Sequence, residues 1–422
     1  MTARGRELVN LLVVGMITAL GFASVYIARQ EQVSTESLSY AGFFVSLYLV
    51  AHLVARVAAP YADPYLLPIA ALLTAIGLTQ IYRLNPDDAF RQALWVVVGV
   101  SLFSATLLVL RRDYRVLENY RYLFGLAAIA LLALPALPVV GRTVRGARLW
   151  VEVGPLQFQP GEFAKLALIV FLAGYLREKR EVLAQGRLKD YGPLLIIWGA
   201  AMLVLVQTND LGSALLYFGL FLGMVYVATA RLWPVAVGLA LFVAGSAAVY
   251  QAVPRVAARV SIWLDPWSDV HGNAYQVVRS LYSIANGGFG GTGLGRGTFT
   301  SPDGGPLIPD LNTDFIYSAI AQELGLVGAA ALVLVYMLFV LRGFRIALLA
   351  GDGFSKLLAA GLTFTFALQT FIILGGILRV IPLTGITLPF VSYGGSSVVA
   401  NFVLLAGLML VSNRANALRA RR

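Results

Sequence analysis

Twelve long apolar runs constrain the fold of this 422-residue chain more than any other feature. Most hold roughly 18 to 25 residues, the length at which an α-helix crosses the hydrocarbon core of a bilayer. Only 13% of the residues are charged, against about 25% in soluble domains. The sequence therefore predicts an all-α integral membrane protein, a polytopic bundle of about 12 transmembrane helices. The predicted spans are 8–28, 38–58, 66–83, 90–110, 119–140, 162–177, 192–206, 212–230, 233–252, 314–341, 357–378 and 390–411.

Two residue types that often carry chemistry are scarce. Cysteine is absent, and histidine occurs only at His52 and His271. These counts exclude disulfide frameworks, thiolate nucleophiles and zinc sites built from Cys and His. The net charge of +11 does not indicate a nucleic-acid partner, because the basic residues are scattered over short loops and no soluble domain offers a binding face.

The distribution of basic residues predicts the topology. Most lie in loops on the side of the N-terminus, so the positive-inside rule favours a multi-pass plasma-membrane protein with both termini cytoplasmic. The first run lacks a cleavage site and is predicted to remain as a span. The long loop 253–313 is then extracytoplasmic, and 256–264 within it predicts an amphipathic helix at the interface, with Trp263 and Trp267 at headgroup depth. Seven arginines in the two longest outer loops would suit an anion-binding surface: Arg142, Arg145, Arg148, Arg255, Arg259, Arg279 and Arg296.

We expect three segments along the chain. Residues 1–60 would form two additional N-terminal transmembrane helices, and 61–413 a polytopic membrane core that includes the extracytoplasmic loop 253–313. Residues 414–422 would form a basic cytoplasmic tail.

Asp314 is the main candidate for chemistry, because it lies where a polar loop enters an apolar helix. An ionisable group at a membrane boundary is costly to desolvate and is by default a functional candidate. A structural alternative is that Thr313 caps the helix and Asp314 favours its first turn through the helix dipole. Glu323 falls on the opposite face of an ideal helix, unless Gly325 breaks that helix.

Three further polar positions interrupt the apolar pattern. Glu162 and Lys165, spaced i and i+3 at the start of a predicted span, can pair on one helix face, either for function or only to fix packing. Asp210, in the turn Gln-Thr-Asn-Asp-Leu-Gly, either accepts backbone N–H bonds, holds a cation or orients Lys165.

Two glycine-rich segments lie near these positions. Residues 288–293 match the dinucleotide fingerprint formally, but no strand precedes them, so close backbone packing is the better interpretation. Residues 382–397 hold two prolines, three glycines and two adjacent serines. Non-helical backbone at membrane depth is tolerated where it lines a cavity or is buried in protein, so this segment predicts a broken helix beside the site.

Taken in order, these motifs resemble the SEDS family, the RodA, FtsW and SpoVE proteins of bacterial wall synthesis. The resemblance covers about residues 66 to 413. The matching motifs are GARLW (146–150), QPGEFAK (159–165), DLGSAL (210–215), the DPWSD…GNAYQ…S loop (265–280), GTGLG (291–295), NTDFIYSAIAQELGLVG (312–328) and LPFVSYGGSS (388–397).

The resemblance implies a ten-helix core and a peptidoglycan glycosyltransferase. Such enzymes polymerise lipid II, a disaccharide-pentapeptide on undecaprenyl diphosphate, at the outer face of the plasma membrane for wall elongation or division. Family members work with a class B penicillin-binding protein as transpeptidase. Asp314 matches the family's catalytic aspartate, and five residues match its cavity and substrate-contact positions: Arg148, Glu162, Lys165, Asp210 and Arg259.

On this interpretation Asp314 is the general base for an acceptor hydroxyl, and nearby cations stabilise the departing diphosphate. A divalent cation, Mg²⁺ or Mn²⁺, could assist, with ligands that the sequence does not identify; no organic cofactor is expected. Two alternatives from other classes stay open, a lipid II flippase and a non-catalytic scaffold of the wall-synthesis complex. The chain departs from the usual family pattern in its two extra spans and in residues such as Gly161, Asn312 and Gln369.

Overall fold

The computed structural model describes residues 2–30, 35–138, 140–144, 146–154, 156–184, 191–301 and 304–420. In these residues the chain folds into fifteen α-helices and one small sheet. The helices are α1 (Ala3–Gln30), α2 (Thr35–Ala58), α3 (Leu66–Leu84), α4 (Pro86–Leu110), α5 (Val116–Asn119), α6 (Arg121–Ala133), α7 (Pro160–Ala184), α8 (Gly192–Gln207), α9 (Leu211–Thr229), α10 (Trp233–Ala252), α11 (Pro254–Leu264), α12 (Tyr275–Gly287), α13 (Ile316–Leu349), α14 (Gly353–Ile377) and α15 (Gly395–Ala420). The strands are β1 (Gly141–Val144), β2 (Ala147–Val153) and β3 (Leu156–Phe158), and 3-10 turns occur at Leu134–Ala136 and Pro266–Asp269.

The helices confirm the predicted all-α, polytopic membrane architecture. Nine helices in the described ranges are long and apolar enough to cross a bilayer, and two shorter apolar helices accompany them at Arg121–Ala136 and Gly192–Gln207. The remaining predicted span, 162–177, corresponds to α7. Helix α7 is 25 residues long and carries the charged run Arg-Glu-Lys-Arg-Glu near its C-terminal end, which lowers its mean hydropathy.

Gly325 divides α13 into two pieces. Its φ of +66° and ψ of −170° are not helical, and a Cβ at this position would collide with the backbone of residues 289–291. The 34 residues of α13 would be about 51 Å long as one straight helix, well beyond the roughly 30 Å of hydrocarbon. The predicted span 314–341 corresponds to α13, which the break divides into a short segment, 316–324, and a longer helix that continues from 326.

The glycine-rich loop 287–295 stabilises this break. The N–H groups of Thr292 and Gly293 donate to the carbonyl oxygens of Gln322 and Glu323, at 3.0 Å each, and Leu326 N–H donates to Gly288 O at 2.9 Å. A Cβ at Gly287 or Gly291 would collide with the backbone of 316–324. These glycines serve close packing, as predicted, and no described strand precedes them.

Small residues also bring the spanning helices together. A side chain at Gly99 of α4 would overlap the ring of Phe402 of α15, and one at Gly343 of α13 would overlap Thr363 of α14. Close backbone approach of this kind is a main source of helix association in membranes. Helices α14 and α15 are mostly buried inside the bundle, whereas none of α10 is.

Helices α1 and α2 are joined by a buried polar network. The Arg4 guanidinium donates to Glu7 and to the carbonyl oxygen of Ala62, and Glu7 Oε1 lies 2.7 Å from His52 Nδ1. Arg4 and His52 are 6% and 2% exposed, so the Arg4 and Glu7 charges are paired inside the protein, although Arg4 Nε makes no hydrogen bond within the described residues. The same network ties the start of α1 to the turn before α3.

Both ends of the chain lie at one end of the bundle. Tyr61 N–H donates to Asn413 Oδ1 at 2.8 Å, so the end of α15 lies beside the turn that Arg4 contacts. We call this the termini end. The opposite end, here the site end, carries residues 253–301 and 304–313 and the entrances of α7, α9, α13 and α15.

The segment 141–158, treated as a loop in the sequence, forms an antiparallel sheet in the order β1-β2-β3. Gly141 pairs with Val151, and Val151 pairs with Phe158. Val151 is 1% exposed, and its neighbours on the strand, Trp150 and Glu152, point to the other face. This alternation is the signal of a half-buried strand.

Candidate active site

A cavity of about 270 Å³ opens at the site end. Its walls come from α11, from the start of α12, from residues 310–314 and from the segment 376–385, which begins in the last turn of α14. Three guanidinium groups line it, those of Arg255, Arg259 and Arg379, together with the carboxylates of Asp310 and Asp314. The cavity is therefore a polar, cationic recess with two acidic groups.

Asp314 reaches the cavity from a tight turn. Its backbone N–H donates to Asp310 O at 3.0 Å, and Asp310 has a φ of +60°. Helix α13 begins only at Ile316 and is preceded by Phe315, and no described side chain accepts a capping hydrogen bond from its first N–H groups. Thr313 Oγ1 donates to Asp310 O. The structural alternative, in which Thr313 caps this helix and Asp314 lies in its first turn, is therefore wrong, because the turn at Asp310 delays the helix.

Gly385 is the point at which the acid and a cation approach each other. A Cβ added to Gly385 would lie 3.4 Å from Asp314 Oδ2 and 3.9 Å from Arg259 Nη2. Gly385 has a φ of +75°, a conformation that a side chain would strain. The glycine thus permits the turn and leaves space between Asp314 and Arg259.

Arg259 lies on α11, the helix that was predicted at 256–264 as an amphipathic interface segment. Its Nη1 donates to Thr384 O at 3.4 Å. Burial lowers the pKa of Arg259, and the charge of Arg255 lowers it further, while Asp314 and Asp210 raise it. The Arg259 guanidinium therefore lies within the electrostatic reach of both acids.

Trp263 and Arg379 fix the position of α11. Trp263 Nε1 donates to Arg379 O at 3.0 Å, and Arg379 Nη2 donates in return to the carbonyl oxygens of Trp263 and Leu264, at 2.8 and 3.0 Å. Arg379 adopts a φ of +59°. Sequence reasoning missed Arg379 and Asp310 as cavity residues. The one available signal for Arg379 was its position as a lone cation directly after an apolar span.

Asp210 caps α9 and lies behind Arg259. Its Oδ1 accepts the Ser213 N–H at 2.9 Å, as the backbone interpretation of this turn requires, and Asn209 has a φ of +59°. Burial raises the pKa of the Asp210 carboxyl, and the Glu162 charge adds to this, while the Ser213 hydrogen bonds and Arg259 oppose it. Asp210 is 8% exposed, and it is absent from the cavity lining.

Glu162 and Lys165 form the predicted i, i+3 pair on α7. Lys165 Nζ donates to Glu162 Oε2 at 2.5 Å and to Gln369 Oε1 at 2.8 Å. Gln369 Nε2 in turn donates to Thr387 O at 2.9 Å. Lys165 is 1% exposed, so this cluster is buried next to the Asp314 cavity and supports the segment that carries Gly385.

Arg148 lies on β2, away from the cavity lining. Its backbone N–H donates to Thr208 O at 3.1 Å, and its Nη2 donates to Leu137 O at 3.0 Å. Its Nε is buried and makes no hydrogen bond within the described part of the chain. Through Thr208, Arg148 connects the sheet to the turn that holds Asp210.

The donors do not form a complete metal site. Across the described ranges no group of three or more His, Cys, Asp or Glu side chains is placed to hold an ion. Asp310 and Asp314 face three guanidinium groups, which compete with a cation for the carboxylates. Mg²⁺ usually needs octahedral oxygen ligands, several of them from water or substrate phosphates. The protein alone therefore does not fit a metal, and Mg²⁺ or Mn²⁺ stays a prediction.

Comparison with known proteins assigns the family. Residues 65–417 match the model of the FtsW, RodA and SpoVE family, described as cell cycle protein. Peptidoglycan glycosyltransferase RodA of Mycobacterium tuberculosis is 41% identical, over 98% of this chain and 91% of the relative.

Solved structures agree in fold. One similar chain belongs to a peptidoglycan synthase complex that is described as structurally coordinating polymerisation and crosslinking. It superposes with a TM-score of 0.71 at 32% identity, over 84% of this chain and 98% of the chain in that complex. The rod shape determining protein RodA of Thermus thermophilus superposes with a TM-score of 0.61 at 28% identity, over 84% and 97% of the two chains. This protein belongs to the FtsW, RodA and SpoVE family.

Proposed function

We propose that this protein is a peptidoglycan glycosyltransferase that polymerises lipid II, with Asp314 as the general base. The observation that carries the assignment is the approach of the Asp314 carboxylate and the Arg259 guanidinium to one point at Gly385, inside an arginine-lined cavity. The relatives named as peptidoglycan glycosyltransferases support the reaction class.

In the reaction, a hydroxyl of the acceptor sugar attacks the anomeric carbon of a diphosphate-linked donor. The new C–O bond forms as the bond from the anomeric carbon to the diphosphate oxygen breaks. Asp314 takes the proton from the attacking hydroxyl, and undecaprenyl diphosphate leaves with the bonding electron pair. A single displacement of this kind inverts the anomeric centre and needs one base and a good leaving group.

The arginines stabilise the leaving group. Negative charge develops on the diphosphate as the bond breaks, and fixed cations in a recess with little water are effective at that task. Arg259 is placed beside Asp314, and Arg255 and Arg379 complete the cationic wall. Planar guanidinium groups also bind phosphate oxygens in pairs, which orients the donor.

Glu162, Lys165 and Asp210 act as positioning residues in this scheme. Lys165 is neutralised by Glu162, and through Gln369 the pair supports the backbone at Thr387, two residues from Gly385. Asp210 begins α9, and a side chain at Gly212 would collide with Thr384 and Ile386. The Glu162–Lys165 pair and the start of α9 thus both support residues 384–387, the backbone segment that lies next to Asp314 and Arg259.

The same scheme predicts the orientation of the protein in the membrane and the kind of protein it works with. Asp314 faces the extracytoplasmic side, where lipid II is polymerised, and the termini end faces the cytoplasm, in keeping with the positive-inside rule. The resemblance to a chain of a peptidoglycan synthase complex supports a transpeptidase partner, a class B penicillin-binding protein.

A flippase would need a polar path through the full depth of the membrane. The arginine and aspartate side chains of this cavity instead concentrate at the site end, which favours polymerisation. A non-catalytic scaffold would not need an acid that faces a cationic wall inside a cavity, so the presence of Asp314 opposite these arginines favours an enzyme.

The deciding experiment incubates purified full-length protein with lipid II and separates the products by gel electrophoresis, with and without the transpeptidase. Wild type should make glycan strands. Asp314→Asn should polymerise lipid II about 10²- to 10⁴-fold more slowly than wild type. The control is Asp87→Asn, which changes an exposed aspartate on the first turn of α4 and should have the wild-type rate. Wild-type rates in Asp314→Asn would contradict the assignment, and a wild type that makes no strands but moves lipid II between leaflets would support the flippase.

A further inference from the structure

A second cavity, of about 190 Å³, lies at the termini end of the bundle. It is bounded by the start of α1, by the turn before α3 and by the ends of α13 and α15. Four arginines line it, Arg6, Arg342, Arg345 and Arg419, and Asp63 is the one carboxylate among the described lining residues. Positive charge is therefore in excess, and nothing in the proposed polymerisation reaction uses this site.

One arginine of the four is already satisfied. Arg342 Nη1 lies 3.5 Å from Asp63 Oδ2, and the Arg342 guanidinium stacks over the ring of Tyr65, 4.2 Å from its centroid. The backbone N–H of Asp63 donates to Ser412 Oγ of α15 at 2.9 Å. Arg342 and Asp63 thus form a fixed floor for the cavity.

The other three arginines surround this floor. Arg6, Arg345 and Arg419 are exposed, and within the residues that the structure covers none of them forms an ion pair with a carboxylate. Converging like charges repel one another, and an anion bound between them would relieve that repulsion. Guanidinium groups match phosphate oxygens in geometry and bind them through paired hydrogen bonds.

An exposed leucine stripe on α13 leads to this cavity. Its members are spaced by three, four or seven residues, so they share one helix face with Arg345. The stripe consists of Leu334 (58% exposed), Leu338 (49%), Leu341 (63%) and Leu348 (81%). Because α13 spans the membrane, this face is available to acyl chains, and Arg345 lies where a headgroup attached to those chains would be.

We propose that the cavity binds the phosphate of an anionic glycerophospholipid, whose acyl chains lie along the leucine stripe of α13. Arg6, Arg345 and Arg419 contact the phosphate oxygens. Soluble phosphate shares this chemistry, but it would gain nothing from the stripe. Basic recesses between helix ends are typical binding sites for anionic headgroups.

The test measures lipid binding by native mass spectrometry on full-length protein in a neutral detergent. Phosphatidylglycerol should remain bound and phosphatidylcholine should not. The double variant Arg345→Gln/Arg419→Gln should bind phosphatidylglycerol about 30-fold more weakly, since each basic residue near an anionic surface contributes several-fold. Arg112→Gln is the matched control: it removes an exposed arginine from the loop after α4, outside the cavity, and should bind as wild type does.

Inorganic phosphate and a hexaglutamate peptide serve as competitors. Neither should displace the lipid at equal concentration. Displacement by phosphate would show that the cavity binds a soluble anion and not a lipid. Displacement by the peptide would show that it binds an acidic protein partner. Either result would overturn the proposal. Equal binding of the two lipids, or equal binding by the double variant and Arg112→Gln, would also overturn the proposal. Unchanged thermal unfolding of the variants in lipid-free detergent verifies their fold.

Discussion

Asp314 and Glu162 are two carboxylates beside cations, and the structure surrounds them differently. Glu162 is held by Lys165 at 2.5 Å in a cluster that Gln369 completes. Asp314 lines a 270 Å³ cavity and faces Arg259 across Gly385. The comparison separates two uses of one residue type: a carboxylate inside a satisfied buried network stabilises the fold, and a carboxylate at an open recess can take a proton from a substrate.

Breaking the buried pair should give the largest change in stability. Lys165→Ala leaves the Glu162 carboxylate without its cation, and loss of one partner from a buried pair costs about 3–5 kcal/mol. Unfolding in detergent measures the free-energy difference. The double variant Glu162→Gln/Lys165→Met should recover most of the loss, because neither charge is then left alone. A Lys165→Ala protein of wild-type stability would contradict the stabilising role of the pair.

Removing the cation opposite Asp314 should affect catalysis more than stability. Arg259→Gln should lower kcat about 100-fold, since it removes a group aimed at developing charge. Lipid II polymerisation under saturating substrate gives kcat. Arg91→Gln, which removes an exposed arginine from α4 at the same end, is the control. If both variants had equal rates, Arg259 would have no role in the reaction.

Breaking the hydrogen bond between Trp263 and Arg379 should lower catalytic efficiency by less than the loss of Arg259 does. Trp263→Phe removes the indole donor to Arg379 O and keeps an aromatic ring, so α11 should lose part of its fixed position. We expect about a fivefold loss in kcat/KM, in line with one hydrogen bond of about 1 kcal/mol. A Trp263→Leu protein should lose more. Wild-type kinetics in both variants would exclude the contact from positioning Arg259.

Substitution of Asp210 should give the smallest effect, a change in how thermal stability depends on pH. Burial raises the folded pKa above the ordinary value of 3.8, so the folded state keeps a proton that the unfolded chain has released. This contribution favours the folded state at low pH and is lost as pH rises from about 3.8 through the raised pKa. Asp210→Asn should keep the helix cap and flatten thermal stability over that range. A variant with the wild-type pH dependence would contradict this.

Much of the fold could be predicted from local sequence, because each span carries its own signal. Apolar length marked the helices, and the i, i+3 spacing correctly paired Glu162 with Lys165. The break at Gly325 was raised only as an alternative, since it depends on hydrogen bonds from a loop more than thirty residues earlier in the chain. The sheet at 141–158 was missed because its strands are short and lie in a charged segment.

The candidate site was predictable in its residue types but not in its arrangement. Asp314 and Arg259 were identified, and the structure brings both to one cavity. Arg379 and Asp310 were missed because backbone conformations with positive φ, which local propensity does not reveal in non-glycine residues, place them there. Lys165 and Asp210 were grouped with the site, and only three-dimensional packing shows them buried behind its wall.

The most direct test of Asp314 as the base is a comparison of lipid II affinity and polymerisation rate in one preparation of Asp314→Asn. Asparagine keeps the size of the side chain and loses the ability to accept a proton. The account predicts a dissociation constant within about threefold of wild type and a rate at least 100-fold lower. A variant that loses affinity and rate by the same factor would make Asp314 a binding residue and contradict the account.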